Sequence, residues 1–166
     1  MNIFATHKDP VKAANWLWEL DKVRGRKMIV ESAQLLSYWV WRDYPKMAEL
    51  GYKKGFVYKY HKGYVNSMFT IWLSKSTANV SWLYRYGIEL LRLYGKPHKS
   101  EKIYWYVRGF LLFTYSYTDN ITPFVHYARA KSKPELSIYP KDIPNVHKAY
   151  RKYLYNQVHG LNKVIE

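Results

Sequence analysis

Apolar residues recur every three or four positions through most of this chain, the period of helices that each bury one face. Val11, Ala14, Leu17 and Trp18 carry that period behind Asp9-Pro10, where Asp caps the free amides of a helix start and Pro fits the first turn. A first helix is therefore expected from Pro10 to about Leu20. A break near Asp21–Gly25 leads to a second, roughly Arg26 to Trp41, with Met28, Ile29, Ala33, Leu36 and Val40 facing the core and Pro45 ending it. From Lys46 to Tyr64 the helical period lapses in a basic, aromatic, Gly-punctuated run that suits a surface loop or one small β-hairpin over 52–64.

Beyond it the period returns. A short helix is expected at Ser67–Leu73, and a longer one from Ser76 or Thr77 to Tyr94, closed by Gly95 with Pro97 just after. Ser100-Glu101 opens another, on which Tyr104, Val107, Leu111 and Tyr115 keep the spacing. Thr122-Pro123-Phe124 marks a turn, and a loop through Pro134 and Pro140 leads to a last helix from Pro144 to about His159. No repeat is visible. The expected fold is all-α, a compact single-domain bundle of about six helices over 1–166.

Length and composition agree with one packed core: 166 residues with 48% hydrophobic content. Cysteine is absent, which excludes structural disulfides, thiolate metal sites and a cysteine nucleophile. The opening Met1-Asn2-Ile3-Phe4-Ala5 is too short an apolar run for a signal peptide, and no uninterrupted stretch of about 18 apolar residues occurs. A soluble protein of the cytoplasm, with no membrane partner, is the expectation.

Charge changes the picture more than length does. The chain carries 27 Lys and Arg against 12 Asp and Glu, a net charge of +15, with 18 Tyr and 7 Trp interleaved among the cations. Solubility alone is served by a net charge of roughly 2 to 8 on a small domain. Cations that neutralise phosphates and rings that stack on bases point to nucleic acid as the partner, DNA ahead of RNA.

Candidate chemistry is sparse. No Gly-rich phosphate loop occurs, and the six histidines, His7, His61, His98, His126, His147 and His159, show no ligand spacing, so neither a metal site nor a cofactor is expected. Arg24, Lys27, Glu31 and Gln34 fall at three- and four-residue intervals and make one polar stripe on the second helix, either a cleft lining or a solvated face. Trp82, Tyr86 and Glu89 share a face of the 76–94 helix, a spacing more often core than binding platform, while Asn79 near its start is a candidate polar contact to nucleic acid. Lys148, Arg151 and Lys152 on the last helix make a phosphate-tracking face, and Lys53, Lys54, Lys59 and Lys62 would form an opposing wall.

The order of motifs resembles a family of small, largely uncharacterised phage proteins. Asn2-Ile3-Phe4, Asp9 to Ala14 and Lys27-Met28-Ile29-Val30-Glu31-Ser32-Ala33-Gln34 carry the likeness, followed by Trp72, Ser76, Asn79, Trp82-Leu83, Tyr94 to His98, Thr122-Pro123-Phe124 and Ala149-Tyr150-Arg151. That family is in turn distantly similar to pyrimidine-dimer DNA glycosylases of the endonuclease V type, basic all-helical enzymes. The resemblance implies base excision followed by strand cleavage at the abasic site. The chain departs from the family pattern where Arg24 and Ser67-Met68 stand in place of histidine and His-Pro.

On this resemblance an amine, the Met1 α-amino group or Lys27, would attack the sugar's anomeric carbon. Glu31 would stabilise the developing charge or move protons, with Gln34 and Arg24 positioning the sugar or phosphate. The alternative is a non-enzymatic DNA- or RNA-binding protein, which needs the cations but asks nothing of the stripe. An enzyme acting on modified nucleotides and a protein-binding role for the aromatics are further options.

Overall fold

A single residue, Asp21, separates the first two helices. Its backbone N–H closes α1 (Pro10–Leu20) on the Leu17 carbonyl, and its side chain accepts from Arg24 N to start α2 (Lys22–Asp43). The break expected over Asp21–Gly25 shrinks to that residue because Gly25 lies inside α2 for a steric reason: a Cβ there would sit 2.6 Å from Trp18 Cε3. The computed structural model describes residues 3–114, 120–125 and 134–160, so Met1, Tyr115 and His126 lie outside the described residues.

The segment from 46 to 64 differs from its expectation. No strand occurs among the described residues, and the hairpin over 52–64 is replaced by the end of α3 (Pro45–Lys53), an irregular stretch and the one-turn α4 (Lys62–Val65). Helix α3 escapes periodicity because small residues, Ala48 and Gly51, form its buried side. A Cβ on Gly51 would lie 2.9 Å from the Tyr106 ring, and the Tyr106 hydroxyl donates to Met47 O at 2.8 Å. Between the helices, Tyr58 N donates to Ser37 Oγ at 3.1 Å and Trp41 Nε1 donates to Tyr58 O at 2.8 Å. Side chains of α2 thus satisfy backbone groups that a hairpin would have paired with each other.

The remaining elements are α5 (Met68–Leu73), α6 (Thr77–Tyr94), α7 (Glu101–Thr114), a 3-10 turn at Pro134–Leu136 and α8 (Val146–His159). Gly95, at φ +66°, closes α6 in the left-handed conformation, as its position predicts. Helix α8 begins at Val146 rather than Pro144, with Asn145 as its cap.

Helices α2 and α6 form the centre, flanked by α1 and α7. Trp82, Tyr86, Tyr104 and Tyr150 are the largest fully buried side chains. Much of the aromatic content that suggested base stacking therefore fills the interior. Val11, expected in the core, is 36% exposed, since α1 buries Pro10, Ala13, Ala14 and Leu17 instead. The buried segment Ile3–Thr6 lies under α8: Phe4 packs on Tyr150 and Tyr153, His147 Nδ1 bonds Ala5 O, and Arg151 Nη1 donates to Thr6 O. Among the described residues no helix is long and apolar enough to cross a membrane.

Candidate nucleic-acid interface

The polar stripe of α2 is present, and its members hold one another. Arg24 pairs with the capping Asp21 at 3.0 Å, and Lys27 Nζ lies 3.4 Å from Glu31 Oε1. Lys27 is 70% exposed while Glu31 is 13% exposed, so the ammonium stands in solvent over a carboxylate that is mostly covered. Within electrostatic reach of Glu31 is the Tyr86 hydroxyl, fully buried and with no hydrogen-bond partner among the described residues. Burial pushes the Tyr86 pKa well up, and neighbouring Tyr104 and Glu31 push the same way. Gln34 is half-buried. Lys27 has a carboxylate, rather than other cations, as its charged partner.

A different place is concave and open to solvent. Two adjoining clefts, of about 450 and 600 Å³, open between the start of α1, the first turns of α6 and the segment 120–124. Both are lined by Pro10, Arg85 and Ile121. The smaller adds Ser81, Trp82 and Asn120, and the larger adds Lys8, Asp9, Thr122, Pro123 and Phe124. Volumes of this size suit a small organic group. None of Arg24, Lys27, Glu31 and Gln34 lines either cleft.

Each wall has a local cause. Asn79, fully buried, donates to Trp72 O at 2.6 Å and to Thr122 Oγ1 at 2.7 Å and accepts from Thr122 N at 3.0 Å. Its amide, expected as a contact to nucleic acid, is buried and fastens the 120–125 segment. Ser76 Oγ adds a bond to Asn120 O at 2.9 Å. On the other side, Trp82 Nε1 donates to Lys8 O at 2.7 Å, tying the approach to α1 onto α6. Arg85, one turn after Ser81, is exposed at the junction of the two clefts and makes no ion pair or side-chain hydrogen bond among the described residues.

Cations gather around the larger cleft. His147 sits edge-on to Phe124 with ring centroids 5.1 Å apart. Burial holds its pKa below the ordinary value against the hydrogen bond to Ala5, and nearby His7, Arg151 and Lys8 lower it further. The carboxyl of Asp9 is also held below its ordinary range, chiefly by the hydrogen bond from Lys12 N, with Val11 N, Arg85 and His7 acting with it against burial. Lys8, Arg85 and Arg151, with the His7 and His147 rings among them, therefore form one cationic corner, with Asp9 the carboxylate in its wall among the described residues.

The other expected contacts scatter. Lys148 and Lys152 are exposed on α8 near this corner, whereas Arg151 is committed to Thr6. Lys53 pairs with Glu49 at 3.0 Å, and exposed Lys54, Lys59 and Lys62 stand on a segment fastened to α2. They line neither cleft. Sequence reasoning missed Lys8, Asp9 and Arg85, whose only advance signal was charge. Glu89, expected in the core, is 9% exposed, and it joins Arg92 through two bonds of 2.7 and 2.8 Å and Asn15 of α1 at 2.8 Å. No group of three or more His, Asp or Glu side chains that would hold a metal ion occurs among the described residues. Comparison with protein-family models, with curated proteins and with solved structures finds no match to this chain.

Proposed function

We propose that this protein binds nucleic acid through the cationic corner around Arg85 and does so without breaking covalent bonds in it. The observation that carries this reading is Arg85 itself, an exposed residue lining both clefts, with Lys8 in the wall of the larger one. A planar cation with five donors suits a phosphate, and Lys148 and Lys152 extend the positive surface along α8. The net charge of +15 adds long-range attraction to any polyanion. DNA is the first ligand to try, following the family resemblance. Binding of short oligonucleotides at low salt, with an affinity that falls steeply as salt rises and with no change in the strand, is the expected result. Failure to bind DNA or RNA at low ionic strength contradicts it.

One observation favours the glycosylase and abasic-lyase reading instead: Glu31 is a mostly covered carboxylate beside an amine, Lys27, at 3.4 Å. That arrangement suits stabilisation of positive charge on a sugar. Borohydride trapping on abasic DNA separates the two readings. A covalent adduct, lost in Lys27→Ala or on blocking the Met1 amine, establishes the lyase; its absence with intact binding leaves the binding protein.

A further inference from the structure

We propose that the Arg85 clefts receive one unpaired nucleotide at a time, and that Asp9 selects among bases by accepting a hydrogen bond from an exocyclic amino group. The inference rests on the nucleic-acid reading above and adds the state of the strand and the base preference.

Division of labour between the clefts carries the argument. Arg85 lines both, so a phosphate held by it lies at their junction, with Lys8 as the second cation. On one side the larger space, about 600 Å³, is walled by Pro10, Ile121, Pro123 and Phe124, a surface suited to the flat face of a base. On the other, Ser81 and Asn120 bring polar groups to a space of about 450 Å³, where a sugar and the next phosphate fit. A base stacked and paired within a duplex shows neither its faces nor its pairing edge. Entry therefore requires a single strand, an end or a flipped nucleotide.

Asp9 supplies the selection. Asp9 is half-buried in the wall of the larger cleft, with Oδ1 held by Lys12 N at 2.9 Å and the carboxyl also drawn to Val11 N and Arg85. Its remaining acceptor capacity goes to the ligand. Ionised carboxylate oxygens only accept hydrogen bonds. At position 4 cytosine presents an amino donor where thymine and uracil present a carbonyl, so a carboxylate facing that position accepts from the first and repels the second, and the N3–H of thymine and uracil is the competing donor. Asp9 is ionised across the neutral range, as an ordinary aspartate is, and the lowering of its pKa widens that range on the acid side.

Asp9→Asn is the informative variant because Asn caps a helix as well as Asp does, so α1 keeps its start. With Oδ1 retained by the Lys12 amide, the other position becomes an NH2 donor. Binding of oligodeoxycytidylate, oligodeoxythymidylate, their ribose counterparts and a blunt duplex is compared by fluorescence anisotropy for wild type, Asp9→Asn and Arg85→Ala, with thermal melts as the folding control. The expected results are single strand over duplex, cytosine over thymine and uracil by about tenfold, that preference abolished or reversed in Asp9→Asn, and all strands weakened in Arg85→Ala. Equal affinity for cytosine and thymine strands in both wild type and Asp9→Asn overturns the selection, and duplex bound as tightly as single strand overturns the unpaired-nucleotide site. Absence of binding to every strand is a separate result, which overturns the nucleic-acid reading itself.

Discussion

The stripe on α2 and the cleft around Arg85 are two polar regions made in opposite ways. The stripe comes from one stretch of chain, and its charges answer one another locally: Arg24 with Asp21, Lys27 with Glu31. The cleft is joined from three stretches, near residues 8–10, 78–85 and 120–124, and its Arg85 feels the Asp9 carboxylate but makes no ion pair or side-chain hydrogen bond among the described residues. A charge that finds its partner within one turn of its own helix has little left to offer a ligand. Groups brought together by tertiary contacts can stand at a concave surface without a directly bonded partner, as Arg85 does here.

The largest expected effect strikes the joint that makes the cleft. Asn79→Ala removes bonds to Trp72 and Thr122 and leaves buried polar groups unpaired, at a cost of about 2 to 4 kcal/mol by urea denaturation. The same variant should lower oligonucleotide affinity, because the 120–124 wall is no longer fastened. Unchanged stability and unchanged binding would break the comparison at its structural root.

A smaller effect is expected from the stripe. Lys27→Ala loses one solvent-facing ion pair, so its stability cost should stay below about 0.5 kcal/mol and its effect on binding below about twofold. A larger loss of binding on titration with DNA would move the interface back to α2. Smallest of all is the response to pH. His147 and His98 both have pKa values lowered from 6.5, mainly by burial. Unfolded histidines take up protons first as pH falls through that value, so stability declines there and is highest above it. Affinity should move the other way, because a bound phosphate favours protonated His147 beside His7, Lys8 and Arg151. Melts and binding curves across mildly acid to neutral pH read both directions, and a parallel decline would remove His147 from the anion's surroundings.

Much of the fold was legible in the sequence because helix signals are local. Asp9-Pro10, Ser76 and Gly95 mark ends that the structure keeps, and Met28, Ile29, Leu36 and Val40 are buried as their spacing predicts. Helix α3 was not legible, since Ala48 and Gly51 bury a side that carries no large apolar residue. Nor was Gly25, where a close approach to Trp18 resembles a breaker in the linear chain. At the candidate site the difficulty is contact order. Residue 8 meets residue 82, and residue 79 meets residue 122, and no periodicity reports such pairs.

The most direct test compares Arg85→Ala with Lys27→Ala for binding to a single-stranded oligonucleotide across a salt series. Loss of one phosphate contact should weaken Arg85→Ala by about tenfold at low salt and reduce its salt slope by roughly one, while Lys27→Ala follows the wild type. Superimposable curves for Arg85→Ala and wild type, with Lys27→Ala impaired instead, would contradict the account.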